Sequence, residues 1–440
     1  MIFGKTESVC PVCLRVLPAE KRSEPDGIYL DKTCPEHGKF SSLIWEGDMR
    51  SYLFWPTKNS AVEQPVDGKP HERGCPYDCG LCEEHRTKGC CVLLELTKRC
   101  NLRCPVCFAS AGAGEASELT LSQIEQQYDY LMAHGGPFNI QLSGGEPTMR
   151  EDLPEIIRLG REKGFSFFQL NTNGLRLASE PGYGQSLKAA GLNTVFLQFD
   201  GVTDAVYETL RGRALLREKE RAIDNCAAAG LGVVLVPVIA AGVNEDQVGA
   251  ILRYALARMP AVRGVHFQPL SYFGRCGLER PEKPVTIPKM LRLLEEQTEG
   301  LLHTSDFGGG GAENPYCSFH ASYLRKADGS LKALKRKADS GCCCVSSDDS
   351  RQAVASQWSG EAEEFAQDGE LLETSSLDAF LEHARLNTFA VSGMVFQDAW
   401  NLDLKRLQRC YICEMDSRYG MVPFCAYNLT DTEGRALYRK

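Results

Sequence analysis

This chain has no apolar stretch long enough to cross a bilayer. The longest, Leu231 to Val243, contains Pro237 and falls short of the roughly 20 residues that a spanning helix needs. A secretory leader is also missing: Met1-Ile2-Phe3-Gly4-Lys5 runs straight into polar residues and cysteines, so a soluble, cytoplasmic protein is expected. Excess positive charge is lacking as well. A net charge of −9 argues against a nucleic-acid surface as the main function, and the local basic run Lys335-Arg336-Lys337 reads as a solvated hairpin edge.

What the chain does have is cysteine, 20 in 440 residues. In a cytosolic setting these stay reduced, which favours metal binding or catalysis over disulfides. A secreted disulfide scaffold fits badly, because 43% hydrophobic and 24% charged residues suffice for a large core of their own. Length alone allows roughly two to three domains. Cysteine density is high over 1–107, low over 108–316 and high again over 317–425, so a scaffold with metal-rich appendages at both ends is expected.

The middle region alternates strand and helix signals. Strand-like runs are Val92–Leu96, Phe138–Leu142, Phe165–Leu170, Thr194–Phe199, Gly232–Ile239 and Gly264–Pro269. Between them, Thr120 with Gln123 offers a capping box for a helix reaching about Ala133. Further helices are predicted near Asp152–Lys163, Gly184–Ala190, Glu218–Ala229, Asn244–Arg258 and Ile287–Thr298. Six βα units in a row imply an α/β fold with a parallel sheet and right-handed crossovers, satisfied by a partial barrel or by an open doubly wound sheet. In the tail, Ala321–Leu334 reads as a hairpin, 346–375 as a polar surface loop, Leu377–Arg385 as a helix, and Phe424–Tyr438 as a last hairpin.

Every polar or glycine-rich cluster follows a predicted strand. Cys100-Asn101-Leu102-Arg103-Cys104-Pro105-Val106-Cys107 comes after the first, Ser143-Gly144-Gly145-Glu146-Pro147 after the second and Asn171-Thr172-Asn173-Gly174 after the third. Gln198-Phe199-Asp200-Gly201 ends the fourth, Ala241-Gly242-Val243-Asn244 follows the fifth, and His266 lies on the sixth. Ligands bind at this carboxyl face in parallel α/β folds. The C-x3-C-x2-C spacing of Cys100, Cys104 and Cys107 suits one iron–sulfur cluster, and three thiolates leave one iron of a [4Fe–4S] cube open. Zinc with a fourth ligand is the alternative for the triad alone. Asn173-Gly174 could be only a turn, Asp200 and Asn244 could be caps, and His266 could be a core histidine.

These motifs, in this order, resemble those of the radical S-adenosylmethionine (SAM) enzymes over roughly residues 88–290. The triad matches their cluster motif and Gly144-Gly145-Glu146-Pro147 their methionine-binding motif, although Val106 stands in a slot that is often aromatic there. The resemblance implies a partial (β/α)6 TIM-like barrel with cysteine-rich, metal-binding N- and C-terminal extensions. It implies a [4Fe–4S] cluster, SAM chelated to the open iron, and Glu146 orienting the SAM ammonium. Asn173, Asp200 and Asn244 are implied ribose or adenine contacts. Reductive cleavage of SAM to a 5′-deoxyadenosyl radical would then activate an unactivated C–H bond, with electrons from a donor such as flavodoxin or ferredoxin.

The remaining cysteines fall into groups. Cys75, Cys79 and Cys82 repeat the triad spacing without a preceding strand, which suggests an auxiliary [4Fe–4S] cluster with Cys90 or Cys91 as fourth ligand; zinc is the alternative. Cys10, Cys13, Cys34 and His37 suggest a small ribbon holding zinc, or mononuclear iron if a distant cysteine replaces His37. Cys410, Cys413 and Cys425 suggest a second auxiliary cluster, completed by an earlier cysteine such as Cys317, while the Cys342-Cys343-Cys344 run could be redox-active. Cys226 reads as packed core and Cys276 as either site-facing or free. Four units are expected: a metal ribbon over 1–72, a cluster segment over 73–90, the barrel over 91–298 and a cysteine-rich domain over 299–440.

The wider pattern is similar to the family containing tetraether lipid synthase and dihydropterin methyltransferases, and to the radical SAM (seleno)protein subgroup. It is carried by Cys10–Cys13, Cys34-Pro35-Glu36-His37, Cys75–Cys82, Cys100–Phe108 and Pro423–Asn428. That resemblance implies C–C bond formation or methylation on a small-molecule, lipid or peptide substrate. A peptide-modifying maturase and a non-enzymatic iron–sulfur carrier are the rival readings.

Overall fold

The computed structural model describes residues 1–55, 68, 70–112, 118–310, 313–334, 351–352, 355, 358 and 386–439. Four antiparallel strands open the chain, β1 (Ile2–Val9), β2 (Val16–Glu24), β3 (Gly27–Cys34) and β4 (Gly38–Glu46), paired in sequence order. They were not predicted as strands, since their charged outer faces dilute the apolar signal. Helix α1 (Met49–Phe54) follows, its N-terminus capped by Asp48, which accepts from the Ser51 amide at 2.7 Å. Tyr52 of α1 stacks on Tyr316, centroids 4.3 Å apart, and joins this unit to the rest of the molecule.

The scaffold contains β5 (Cys91–Thr97), β6 (Val106–Cys107), β7 (Asn139–Gly144), β8 (Phe168–Thr172), β9 (Thr194–Gln198), β10 (Gly232–Val236), β11 (Val238–Ile239), β12 (Val262–Pro269) and β13 (Arg275–Cys276). Its helices are α2 (Leu121–Ala133), α3 (Leu153–Glu162), α4 (Leu175–Ser179), α5 (Tyr183–Ala190), α6 (Asp204–Arg211), α7 (Leu216–Ala228), α8 (Val248–Leu256) and α9 (Ile287–Gln297). Both bonds of the predicted capping box at Thr120 and Gln123 are present.

Strands β5, β7, β8, β9, β10 and β12 lie side by side and parallel in chain order, with no reversal. A doubly wound sheet needs a reversal to place helices on both faces. The uninterrupted order therefore selects the partial barrel. The later chain extends both edges: β16 (Thr388–Met394) pairs parallel with β12, and β17 (Ile412–Asp416) pairs parallel with β5. Antiparallel β14 (Ser318–Arg325) and β15 (Leu331–Ala333) lie beyond β16, and β18 (Gly420–Pro423) lies beyond β17.

Alternation along each strand separates two faces. Val92, Leu94, Ile140, Leu142, Phe168 and Leu170 pack with Ile124 and Tyr128 of α2 and with Ile156 of α3 in one core. The opposite face, with Leu93, Gln141, Asn171, Phe196 and His266, lines a cavity.

Three readings of the tail change. Phe424–Tyr427 is a helical turn rather than a strand, and the arms of the Asp431–Gly434 turn meet in a single antiparallel bridge between Thr430 and Ala436, with Leu437 N donating to Leu429 O at 3.0 Å, instead of a full hairpin. Within 346–375, the described residues Arg351, Gln352, Ala355 and Trp358 are helical, and Trp358 packs on Phe196 at 4.8 Å between centroids. Arg351 donates to the Pro137 carbonyl at 2.6 Å. A polar average hid these two side chains. Lys335–Lys337, Cys342–Cys344 and Leu377–Arg385 lie outside the described residues.

Candidate active site

The cysteine loop leaves β5 at the sheet's carboxyl edge. Cys100, Cys104 and Cys107 line one cavity of about 260 Å³ together with Gly144, Gly145, Glu146 and Asn173. Cys107 and Val106 form β6, which pairs antiparallel with β13, and Arg275 of β13 donates to the Cys104 and Ala111 carbonyls, each at 2.8 Å. This clamp fixes the loop. Among the described residues only the ribbon group discussed below is close enough to share a single ion. Cys100, Cys104 and Cys107 do not meet that spacing. Burial pushes the Cys100 thiol up to about 12, and burial also raises Cys104, opposed by Arg211. A bound metal cation would favour the thiolate form of such thiols.

The glycine pair is explained by the neighbouring backbone. Gly144 has φ +118°, and a Cβ there would lie 2.4 Å from the Thr97 carbonyl; a Cβ on Gly145 would lie 2.2 Å from the Arg99 carbonyl. The space is occupied by hydrogen bonds, Gly145 N to Thr97 O at 2.7 Å and Glu146 N to Arg99 O at 2.9 Å. Only glycine lets these two loops meet so closely.

Glu146 is buried and uses both carboxylate oxygens. Oε1 accepts from Thr148 N at 3.1 Å, Thr148 Oγ1 at 2.7 Å and Thr172 Oγ1 at 2.7 Å, and Oε2 accepts from Asn173 N at 2.7 Å. It therefore ties the β7 and β8 loops together. Pro147 opens the short turn Pro147–Met149 behind it. Asn173 Nδ2 reaches Asn101 Oδ1 in the cysteine loop at 2.7 Å.

Asp200 and Asn244 are fully buried and do not line the cavity. Asp200 is spent on Arg211, and burial, which opposes its charge, is outweighed by that guanidinium, so the carboxyl stays below its usual range. Asn244 holds its own turn: Oδ1 accepts from Ala240 N at 2.8 Å, and Nδ2 donates to the Asp200 and Val238 carbonyls, each at 2.7 Å. Lys219, buried on α7, donates to the Asn173 carbonyl at 2.6 Å, and burial pushes its pKa down to about 8. His266 lines the cavity, bonded through Nδ1 to Ser392 at 2.9 Å, and burial pushes it down to about 4.

Cys10, Cys13, Cys34 and His37 come together in the ribbon, their ligand atoms all within 4.8 Å of one another. Three thiols and one imidazole at that spacing fit tetrahedral zinc. The ribbon is held against the C-terminal chain by Lys32, which donates to the Ala399 and Trp400 carbonyls at 2.7 and 3.0 Å. Thr6 and Lys21 both reach the Asp403 carboxylate, at 2.6 and 2.8 Å.

Cys75, Cys79 and Cys82 line a small recess with His85, roofed by Leu407, Gln408 and Pro423. Cys90 and Cys91 do not line it; both are buried where β5 begins. His85 Nε2 pairs with the Cys410 carbonyl at 2.8 Å. Cys410 Sγ donates to the Ile412 carbonyl at 3.2 Å, Cys425 Sγ accepts from Gln397 N at 3.3 Å, and Arg406 donates to Cys317 Sγ at 3.4 Å. Cys413 is buried on β17, and burial, then the neighbouring Cys410, pushes its thiol well above the ordinary range. Cys226 is packed core, and Cys276 pairs with Val106 in β13 without lining the cavity.

Gln141 carries no motif in the sequence, and Asn171 and Gln268 stand there only as members of strand-end clusters without a role of their own. All three lie at inward positions of the strands, and alternation within those runs was the available signal. Arg211 and Lys219 carried none, since a single charge on a helix ordinarily reads as surface.

Residues 94–255 match the family described as the Radical SAM superfamily, and residues 2–46 match the HMPTM N-terminal zinc ribbon domain. The chain is 34% identical to the 7,8-dihydro-6-hydroxymethylpterin dimethyltransferase of Methanocaldococcus jannaschii, over 96% of this chain and 93% of that protein. It is 30% identical to the GTP 3′,8-cyclase of Paenarthrobacter nicotinovorans, over 46% of this chain and 58% of that enzyme. The crystal structure of Streptococcus suis SuiB bound to S-adenosylmethionine superposes with a TM-score of 0.39 at 16% identity, over 48% of this chain and 47% of that one.

Proposed function

The chain belongs to the radical SAM superfamily, and from that premise we propose that it is a methyltransferase acting on a reduced pterin. The observation that carries the substrate class is the full-length similarity to the pterin dimethyltransferase, which spans the ribbon, the barrel and both cysteine-rich ends. The cavity is consistent with it, because among the described residues its one lining carboxylate, Glu146, and its one lining cation, Arg211, are both spent within the protein.

In this reading Cys100, Cys104 and Cys107 hold the [4Fe–4S] cluster, and the Gly144–Pro147 loop with Asn173 receives SAM. When bound, the cluster and SAM supply the radical that activates a C–H bond. The protein's own part is positional. Glu146 fixes the two loops that face SAM, Lys219 fixes the Asn173 carbonyl, and Arg275 fixes the cysteine loop. Cys75, Cys79 and Cys82 hold one auxiliary cluster, and Cys317, Cys410 and Cys425, with Cys413 beside them, hold another; zinc fills the ribbon. A flavodoxin- or ferredoxin-class donor supplies electrons in the cytosol, where cysteines remain reduced.

The test is anaerobic turnover of reconstituted protein with SAM, a reductant and 7,8-dihydro-6-hydroxymethylpterin. The expected products are 5′-deoxyadenosine and a pterin heavier by one or two methyl groups. Absence of 5′-deoxyadenosine while the cluster is spectroscopically reduced overturns the enzymatic reading. Formation of 5′-deoxyadenosine without any pterin binding or mass gain overturns the substrate class.

A further inference from the structure

Below the cysteine loop the cavity wall changes character. Gln141 of β7, Asn171 of β8, and His266 and Gln268 of β12 project into it, with Phe196 of β9 between them in strand order. All are neutral: burial keeps the His266 imidazole uncharged. Their amides are oriented by one another, since Gln169 Nε2 donates to Asn171 Oδ1 at 2.8 Å and Asn171 Nδ2 donates to Gln141 Oε1 at 3.1 Å. His266 is held at Nδ1 by Ser392 at 2.9 Å, which leaves Nε2 as its remaining polar atom. The Gln268 amide has no hydrogen-bond partner among the described residues, although it lines the cavity. Phe196 offers an aromatic surface at this level and packs on Trp358 at 4.8 Å, while Trp358 also meets the His266 ring at 6.3 Å between centroids.

A primary amide presents one acceptor and two donors in a plane, and complements a heterocycle edge that alternates N–H and C=O or ring nitrogen. A neutral, amide-bearing wall beside an aromatic surface selects a flat, uncharged, hydrogen-bonding ring. We infer that Gln268 and His266 read the pyrimidinone edge of the substrate pterin, with Phe196 against its face and the Gln141–Asn171 pair as the fixed wall. This deepens the proposed function and rests on it. The SAM adenine is the other flat heterocycle that the cavity receives, so the experiment separates the two.

Equilibrium binding of 7,8-dihydro-6-hydroxymethylpterin and, separately, of SAM to wild type, Gln268→Leu and His266→Phe provides the test. Each substitution is expected to weaken pterin binding roughly tenfold, as when a buried polar partner is lost, with SAM affinity held within about twofold. A ligand change guards against misfolding. The matching lumazine, with oxygen in place of the 2-amino group, is expected to bind wild type roughly tenfold more weakly than the pterin, and Gln268→Leu is expected to lose that preference. Unchanged pterin affinity in both variants overturns the inference, and so does weakening of SAM binding equal to that of pterin. If wild type binds no pterin at all, the proposed substrate class falls, and this seat falls with it.

Discussion

Arg211 grips Asp200 through two parallel bonds, Nη2 to Oδ1 and Nε to Oδ2, both at 2.7 Å, and its third nitrogen donates to the Val106 carbonyl at 2.9 Å. A buried ion pair thus braces the cysteine loop from beneath. Arg211→Leu strands a carboxylate in the interior and is expected to cost about 3–5 kcal/mol of stability. Asp200→Leu combined with Arg211→Leu should cost less than the two singles summed. Denaturant unfolding of the four proteins in a double-mutant cycle measures the coupling, and strict additivity would falsify it.

Gly145→Ala forces two loops apart, because the added carbon meets the Arg99 backbone carbonyl rather than a movable side chain. SAM affinity is expected to fall at least about tenfold, the scale of a lost well-formed loop contact. Zinc content should not change, because the ribbon lies elsewhere. Calorimetric SAM binding and metal analysis of the same preparation check both statements.

Removing zinc should loosen the ribbon and its grip on the C-terminal chain. Cys34→Ser takes one of four ligands, and a structural zinc site contributes directly to folding. The expected result is loss of one zinc per chain, with new proteolytic cuts in β1–β4 and near the Lys32 contacts at Ala399 and Trp400. Iron retained by Cys100, Cys104 and Cys107 should stay at the wild-type level.

His266 should give the fold a pH dependence of definite sign. Its folded pKa is about 4 and its ordinary value 6.5, so between these pH values the unfolded chain binds the extra proton. Stability contributed by the neutral ring is complete above about pH 6.5 and is lost as pH falls toward 4, by up to about 3 kcal/mol. His266→Phe should remove that slope whatever it does to stability at neutral pH. Thermal midpoints measured from pH 7 to pH 4.5 decide it, and parallel curves for variant and wild type would sink the expectation.

The parallel strands were legible because each is a short apolar run ending in polar or glycine-rich residues, and their order excluded the doubly wound alternative only once pairing was seen. The predicted Phe165–Leu170 strand begins at Phe168, since Phe165 and Phe167 are buried in the approach to it. Strands β16 and β17 were missed because their stability comes from partners far away in sequence, Val265 for Val391 and Val92 for Cys413. The triad and Gly144–Pro147 could be read from spacing, since local backbone geometry demands those residue types. Asp200 and Asn244 looked like ligands because their position after a strand was visible while Arg211, Val238 and Ala240, which consume them, were not. Arg211 and Lys219 required tertiary contacts to acquire meaning.

The two late strands also set an order of events during synthesis. A ribosome delivers the ribbon and the Cys100 loop first, and the strands β5 to β12 follow with both outer edges bare. Bare strand edges recruit other chains, and growing polypeptides are most exposed to that hazard before their final segments emerge. Thr388–Met394 and Ile412–Asp416 cover the outer edges of β12 and β5 only once they have emerged, and the second of these strands carries Cys413. A truncated chain would keep its first metal ligands and its triad, yet it would carry two open seams into the cell.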